Sequence, residues 1–163
     1  MRTSWGVLLL CLLVAASCSS PKPYNRVIID TYPPTAGPGG VNTKLSLFDS
    51  SGNLVAADSD GNPTQTDFAR IDSAGQLLPG TWYIKVEGET GMEPGPYAIR
   101  VLLDPDETYG PWQFGSYNNP DSYESDNASV GNVPSNPIPI TVDGKLNRYL
   151  TPGDLDWFTL TLP

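Results

Sequence analysis

The chain has no histidine. That excludes Ser-His-Asp and Cys-His nucleophile systems, and it excludes zinc sites built on His-Glu-x-x-His or on three histidines. Cysteine is nearly absent too: Cys11 and Cys18 are the only two. Basic residues are scarce, 9 against 18 acidic, for a net charge of −9. Such a balance argues against nucleic acid as a partner and against electrostatic docking on anionic lipid. No Gly-rich phosphate loop ending in Lys-Ser/Thr occurs. Beyond residue 20 no stretch keeps a 3.6-residue apolar period for three turns, so long amphipathic helices are not expected. The one long apolar run, residues 6–16, is too short to cross a bilayer as a helix, which takes ~20 residues.

That run has a positive charge before it, Arg2, and small residues after it, Ala15-Ala16-Ser17-Cys18. This is the layout of a secretory signal. The last four residues resemble a bacterial lipobox, in which cleavage precedes the cysteine and the thiol is lipidated. We expect residues 1–17 to be a lipoprotein signal peptide, Cys18 the lipidation site and residues 18–23 a tether. Cys11 would leave with the signal, so no intrachain disulfide is expected and stability must come from an ordinary core. The expected location is the bacterial cell envelope, outer membrane or cell surface, with the lipid as the membrane contact.

What remains is strands and turns. Short alternating runs lie between clusters of Gly, Pro, Asn and Asp, the pattern of an all-β sandwich or barrel. Residues 26–32 put Val27 and Ile29 on one face, and residues 43–49 do the same with Leu45 and Leu47. Asp49-Ser50-Ser51-Gly52-Asn53 is a hairpin turn returning into residues 54–57. A shorter strand is expected at 68–71. Pro79-Gly80 leads into 81–87, where Trp82, Ile84 and Val86 share a face and Tyr83 and Lys85 take the other. Pro94-Gly95-Pro96 leads into 97–103, with Tyr97, Ile99 and Val101 inward and Arg100 outward. This inventory reads as a meander of antiparallel strands. Residues 105–121 lose all periodicity and read as a linker, although Trp112, Phe114 and Tyr117 are costly to leave in water. Strands resume at 138–142, 145–150 and 156–162.

These residues carry a resemblance. "NTKLSLFDSSGNLVAADSDG", "ARIDSAGQLLPGTWYIKVEG" and "GPYAIRVLL" resemble the body of the bacterial pre-peptidase C-terminal domain. "SYESDNASVGNVPSNPIPITVDGKLNRYLTPGDLDWFTLTLP" resembles the start of the same domain. The order is reversed: the opening, residues 122–163, follows the body, residues 24–104. Two arrangements account for this. One is a single domain over residues 24–163, circularly permuted, in which "DWFTLTLP" returns to the body's core. The other is a fragment of a tandem array. In the first, Phe158, Leu160 and Leu162 face the same core as Leu45, Leu47, Trp82, Ile84, Val86, Tyr97 and Ile99, and Trp157 points outward or under the linker aromatics. The resemblance implies an antiparallel, jelly-roll-like β-sandwich of about eight or nine short strands.

Members of that family are non-catalytic modules appended to secreted proteins, and related collagen-binding domains hold Ca²⁺. The resemblance implies a Ca²⁺ set here from Glu124, Asp126, Asn127, Asp154 and Asp156, since calcium takes about six to eight oxygen ligands. Ser122 and Gly153 stand where the calcium-binding subgroup has further acids, and the alternative is that these residues form turns. Asp58 and Asp60, in Asp58-Ser59-Asp60-Gly61-Asn62, are a second metal candidate. EF-hand spacing fails there, with Gly61 too early and Ala69 at the twelfth position, so a solvated loop is expected. Tyr83 is the candidate exposed aromatic for ligand contact. The expected function is a lipid-anchored, non-catalytic envelope module for adhesion or for binding protein or polysaccharide. The alternatives are a structural accessory lipoprotein stabilising an envelope partner, and a glycosidase using two carboxylates about 5–10 Å apart.

Overall fold

The computed structural model describes residues 26–33, 40–62, 67–74, 77–92, 94–103 and 129–163. Cys18, residues 105–121, Glu124, Asp126 and Asn127 lie outside them. Among the described residues there are eleven strands and no helix. They are β1 (Arg26–Tyr32), β2 (Thr43–Phe48), β3 (Leu54–Asp58), β4 (Arg70–Ala74), β5 (Gly80–Gly88) and β6 (Gly95–Leu103), then β7 (Ser129–Val130), β8 (Val133–Pro134), β9 (Ile138–Ile140), β10 (Lys145–Leu150) and β11 (Leu155–Leu162).

Nine of these build two sheets. One runs β10-β6-β1-β4 and the other β3-β2-β5-β11-β9; β7 and β8 form a separate two-residue ladder. All pairs are antiparallel except β9 with β11. The inner faces of the two sheets meet in one core. Val27, Ile29, Tyr97, Ile99, Val101 and Leu150 come from the first sheet, and Leu45, Leu47, Ile84, Val86, Phe158, Leu160 and Leu162 from the second. That is a β-sandwich, and period-2 alternation explains which residues enter it.

The meander expectation is corrected. Of the nine sandwich strands, only β2 and β3 are both consecutive and adjacent. Pro79-Gly80 carries the chain from the first sheet to the second, and Pro94-Gly95-Pro96 carries it back. A turn signal marks where a strand ends, but it does not say whether the next strand pairs beside it or crosses the core. The strand expected at 68–71 begins instead at Arg70. Phe68 and Ala69 are buried without being in a strand. Strands β7 and β8 were not expected from the sequence, because two-residue ladders carry no periodicity.

β11 is an interior strand. It pairs along its whole length with β5, from Leu155 opposite Glu87 to Leu162 opposite Gly80. Its other side pairs with β9 through Phe158, Thr159 and Leu160. β10 likewise pairs with β6. The last strands therefore belong to the same sandwich as residues 26–103. Phe158, Leu160 and Leu162 pack with Leu45, Leu47, Ile84, Val86, Tyr97 and Ile99, and Trp82 packs against that cluster partly buried. Burying three such side chains stabilises the fold by roughly 1.5–3 kcal/mol each. Trp157 has the opposite parity, and its ring lies 5.4 Å from that of Phe48. It is buried on that outer side; the linker aromatics that would cover it lie outside the described residues.

Candidate functional site

Carboxylates are the residues the sequence singles out, and the structure gives Asp154, Asp156 and Asp58 each a local task. Asp156 sits on the inner face of β11, two residues before Phe158. Arg148 sits on the inner face of β10, between Leu146 and Leu150. The two meet across the core, with Arg148 Nη2 donating to Asp156 Oδ1 at 2.6 Å. The Tyr97 hydroxyl donates to the other oxygen, Oδ2. The Arg148 guanidinium also lies 5.7 Å from the centre of the Phe158 ring. All four residues are buried. A buried carboxylate needs its charge matched and its lone pairs filled, and this arrangement supplies both.

Asp154 is buried in the turn between β10 and β11. Its Oδ2 accepts from Thr151 N at 3.2 Å and its Oδ1 from Leu155 N at 2.9 Å. Gly153 beside it has φ +83°, a conformation that favours glycine. Asp154 and Asp156 thus have different partners. The first fixes a turn, and the second is committed to an arginine and a tyrosine inside the core. A divalent cation placed at Asp156 would face the Arg148 guanidinium. Glu124, Asp126 and Asn127, the rest of the calcium set inferred from the resemblance, lie outside the described residues.

The second acidic loop is closed on itself. Asp58 Oδ2 accepts from Gly61 N at 2.7 Å and from Arg70 N at 2.8 Å. A Cβ on residue 61 would stand 2.6 Å from that same oxygen, so a larger residue there would displace the Asp58 carboxylate. Asn62 is buried, and its amide donates to Thr31 O at 2.9 Å. Asp60 is exposed. The loop therefore ties β3 to the start of β4, and Asp58 has a structural task. Among the described residues no group of three or more His, Cys, Asp or Glu could hold a metal ion.

Sequence reasoning missed a further carboxylate, Asp30. It lies on the outer face of β1, opposite Arg100 of β6. Arg100 Nε donates to Oδ1 at 2.7 Å and Nη2 to Oδ2 at 3.0 Å, the two-point geometry that suits a guanidinium and a carboxylate. The Tyr32 hydroxyl donates to Oδ2 at 2.5 Å, and the Arg100 guanidinium stacks 4.2 Å from the Tyr32 ring centre. Ile28 and Leu102, on the same outer face, are also buried. Burial pushes the Asp30 carboxyl up to about 6, and Arg100 only partly opposes it. Arg100 faces away from the core as expected, but it is not a solvated surface charge. The signal for the pair was available in principle: Asp30 and Arg100 each interrupt an apolar strand.

Among the described residues, an open surface lies along one side of the sandwich. β3 ends the second sheet and β4 ends the first. Between them runs a groove of about 290 Å³, lined by Val55, Ala56, Ala57, Asp58, Arg70, Ile71, Asp72, Ser73 and Leu77. Leu54 and Val55 are exposed, at 59% and 47%. Leu78 and Met92 are the other large apolar side chains in water among the described residues. Tyr83 is half-buried on the outer face of β5, between Phe48 and Thr159 in register. Trp82 donates its Nε1–H to Leu78 O at 3.0 Å, as a wall residue of the core.

No family model, curated protein or solved structure matches this chain.

Proposed function

We propose that the chain is a non-catalytic binding module of the bacterial cell envelope, held at a membrane by lipid on Cys18 and presenting its sandwich to a protein ligand. The observation that carries this reading is the open side of the sandwich. There a groove and two exposed aliphatic side chains, Leu54 and Val55, lie next to a sheet edge. Among the described residues the exposed large apolar side chains are Leu54, Val55, Leu78 and Met92, none of them aromatic, which favours protein over polysaccharide as the ligand. The resemblance to pre-peptidase C-terminal domains and the lipobox-like Ala15-Ala16-Ser17-Cys18 support the same reading. So does the commitment of Asp30, Asp72 and Asp156 to arginines, and of Asp49, Asp58 and Asp154 to turns, which leaves these carboxylates bound up rather than poised for acid–base work.

The experiment has two parts. Fractionation of cells carrying wild type or Cys18→Ser should move the protein from membrane to soluble fractions, because loss of the acyl chains removes the anchor. The purified chain is then screened against matrix proteins, envelope proteins and glycans. Saturable capture of a protein, lost on Leu54→Lys, is the expected result. Membrane retention of the processed serine variant would remove the anchor, and saturable binding of glycans alone would remove the protein ligand.

A further inference from the structure

Four strand edges flank the two sheets, and three of them carry charge, proline or short length that discourages another strand from pairing. β9 is three residues long and holds Pro139, which has no N–H. β4 holds Arg70 and Asp72, linked at 3.3 Å and joined by Arg26 at 2.8 Å. β10 holds Lys145 and the inward Arg148. Charges, proline and short length are the usual protections of an edge. From Leu54 to Ala57, the sequence Leu-Val-Ala-Ala, β3 has none of these; its one edge device is a bulge, Leu47 pairing with Ala56 and Phe48 with Leu54 so that Val55 is the extra residue. On one side it pairs with β2, with a register shift at Leu47/Phe48; on the other, among the described residues, it pairs with nothing.

The ends of this strand are charged in one sense. The turn before it holds Asp49, whose carboxyl is kept below the usual range by hydrogen bonds from Asn53 and the turn amides. The turn after it holds Asp58 and the exposed Asp60. The nearby cations are already engaged: Arg26 and Arg70 at Asp72, Lys44 at Glu87. Two copies of β3 paired antiparallel would set the Asp49 turn of each against the Asp58–Asp60 turn of the other. With a net charge of −9 on each chain, self-pairing is disfavoured. The same arrangement favours a strand of opposite charge at its ends.

We propose that the β3 edge takes an extended segment of a partner protein, apolar in its middle and basic at both ends, as an added strand with side chains entering the groove beside Ala56, Ile71 and Leu77. This rests on the binding-module reading and names the ligand's chemistry. Backbone hydrogen bonds to the open edge supply affinity, the small side chains of Ala56 and Ala57 leave room for larger ones from the partner, and the flanking carboxylates set the preference.

The test uses the purified full chain and three capped, labelled octapeptides. The first is Lys-Arg-Val-Thr-Val-Thr-Lys-Arg. The second has Glu-Asp in place of each basic pair. The third is the first with its four central amides N-methylated. Fluorescence anisotropy should show binding of the first peptide and at least about tenfold weaker binding of the other two. Val55→Lys should weaken the first peptide by a similar factor with an unchanged melting midpoint. Hydrogen exchange with the first peptide bound should gain protection at Leu54–Asp58. The proposal is overturned if the first peptide does not bind, if N-methylation leaves its affinity unchanged, or if the new protection falls on another strand. A protein ligand found in the screen, with no binding of these peptides, would keep the binding-module reading and remove this one.

Discussion

The Tyr97 hydroxyl and the Asp156 carboxylate meet inside the core, donor to acceptor, across the gap between the two sheets. With Arg148 they form a buried polar tie between β6, β10 and β11. Its loss is predicted to be asymmetric. Arg148→Met leaves a buried carboxylate without its guanidinium and should destabilise the fold by about 3–5 kcal/mol. Tyr97→Phe should cost about 1–3 kcal/mol. Tyr97→Phe, Arg148→Met and Asp156→Leu together remove all the polar groups at once. That triple variant should be more stable than Arg148→Met alone, as read from urea midpoints. Additive losses would show that the three residues do not act as one unit.

Asp30 gives the protein an unusual response to mild acid. Its carboxyl is raised from 3.8 to about 6, chiefly by burial. Between those values the folded chain holds a proton that the unfolded chain has released. Its contribution to stability is therefore greatest below 3.8 and declines as pH rises to about 6. Asp72, held below the usual range by its hydrogen bond from Arg26, acts in the opposite sense: its contribution is full above the ordinary carboxylate range and is lost below it. Asp30→Asn mimics the protonated form. The stability of wild type minus that of Asp30→Asn should fall by a few kcal/mol from pH 4 to pH 6 and stay flat above. A flat difference over the whole range would contradict the raised carboxyl.

Calcium separates the two parts of the acidic set inferred from the resemblance. Asp156 serves the core, so Asp156→Asn should lower the melting midpoint by the same amount in calcium and in chelator. If calcium raises the wild-type midpoint, the increase should survive Asp154→Asn and vanish with Glu124→Gln. A ligand that binds only the native state stabilises it by mass action, so the melting curve reads the site directly. An effect of Asp156→Asn confined to calcium-containing buffer would return that residue to a metal site.

Part of this could be read from alternation alone. Parity puts Leu45, Leu47, Ile84, Val86, Ile99, Phe158, Leu160 and Leu162 on one face of their own strands; the single-domain arrangement, which came from the resemblance, puts them in a common core, and they share one. The same parity also places Asp156 with Phe158, and Arg148 with Leu146 and Leu150, on core faces. A charge on an apolar face is an informative signal, but parity names no partner, and the resemblance drew Asp156 toward calcium instead. Strand order was not legible for a related reason. Pro-Gly turns end strands equally well before a hairpin and before a crossing between sheets, so the expected meander gave way to alternation between the two sheets. The open β3 edge needed the topology as well, because an apolar Leu-Val-Ala-Ala run looks the same in the middle of a sheet as at its end.

Native-state hydrogen exchange on the free chain tests both halves of the account in one measurement. β11 is flanked on both sides, by β5 and β9, while β3 is flanked only by β2 among the described residues. Amides within Leu155–Leu162 should fall in the slowest class, opening only with global unfolding, and at least alternate amides within Leu54–Asp58 should exchange orders of magnitude faster through local opening. Fast exchange throughout Leu155–Leu162 would show that the C-terminal strand is not the middle of the sandwich. Protection of every amide in Leu54–Asp58 at the global level would show that the edge proposed to receive a partner is already closed.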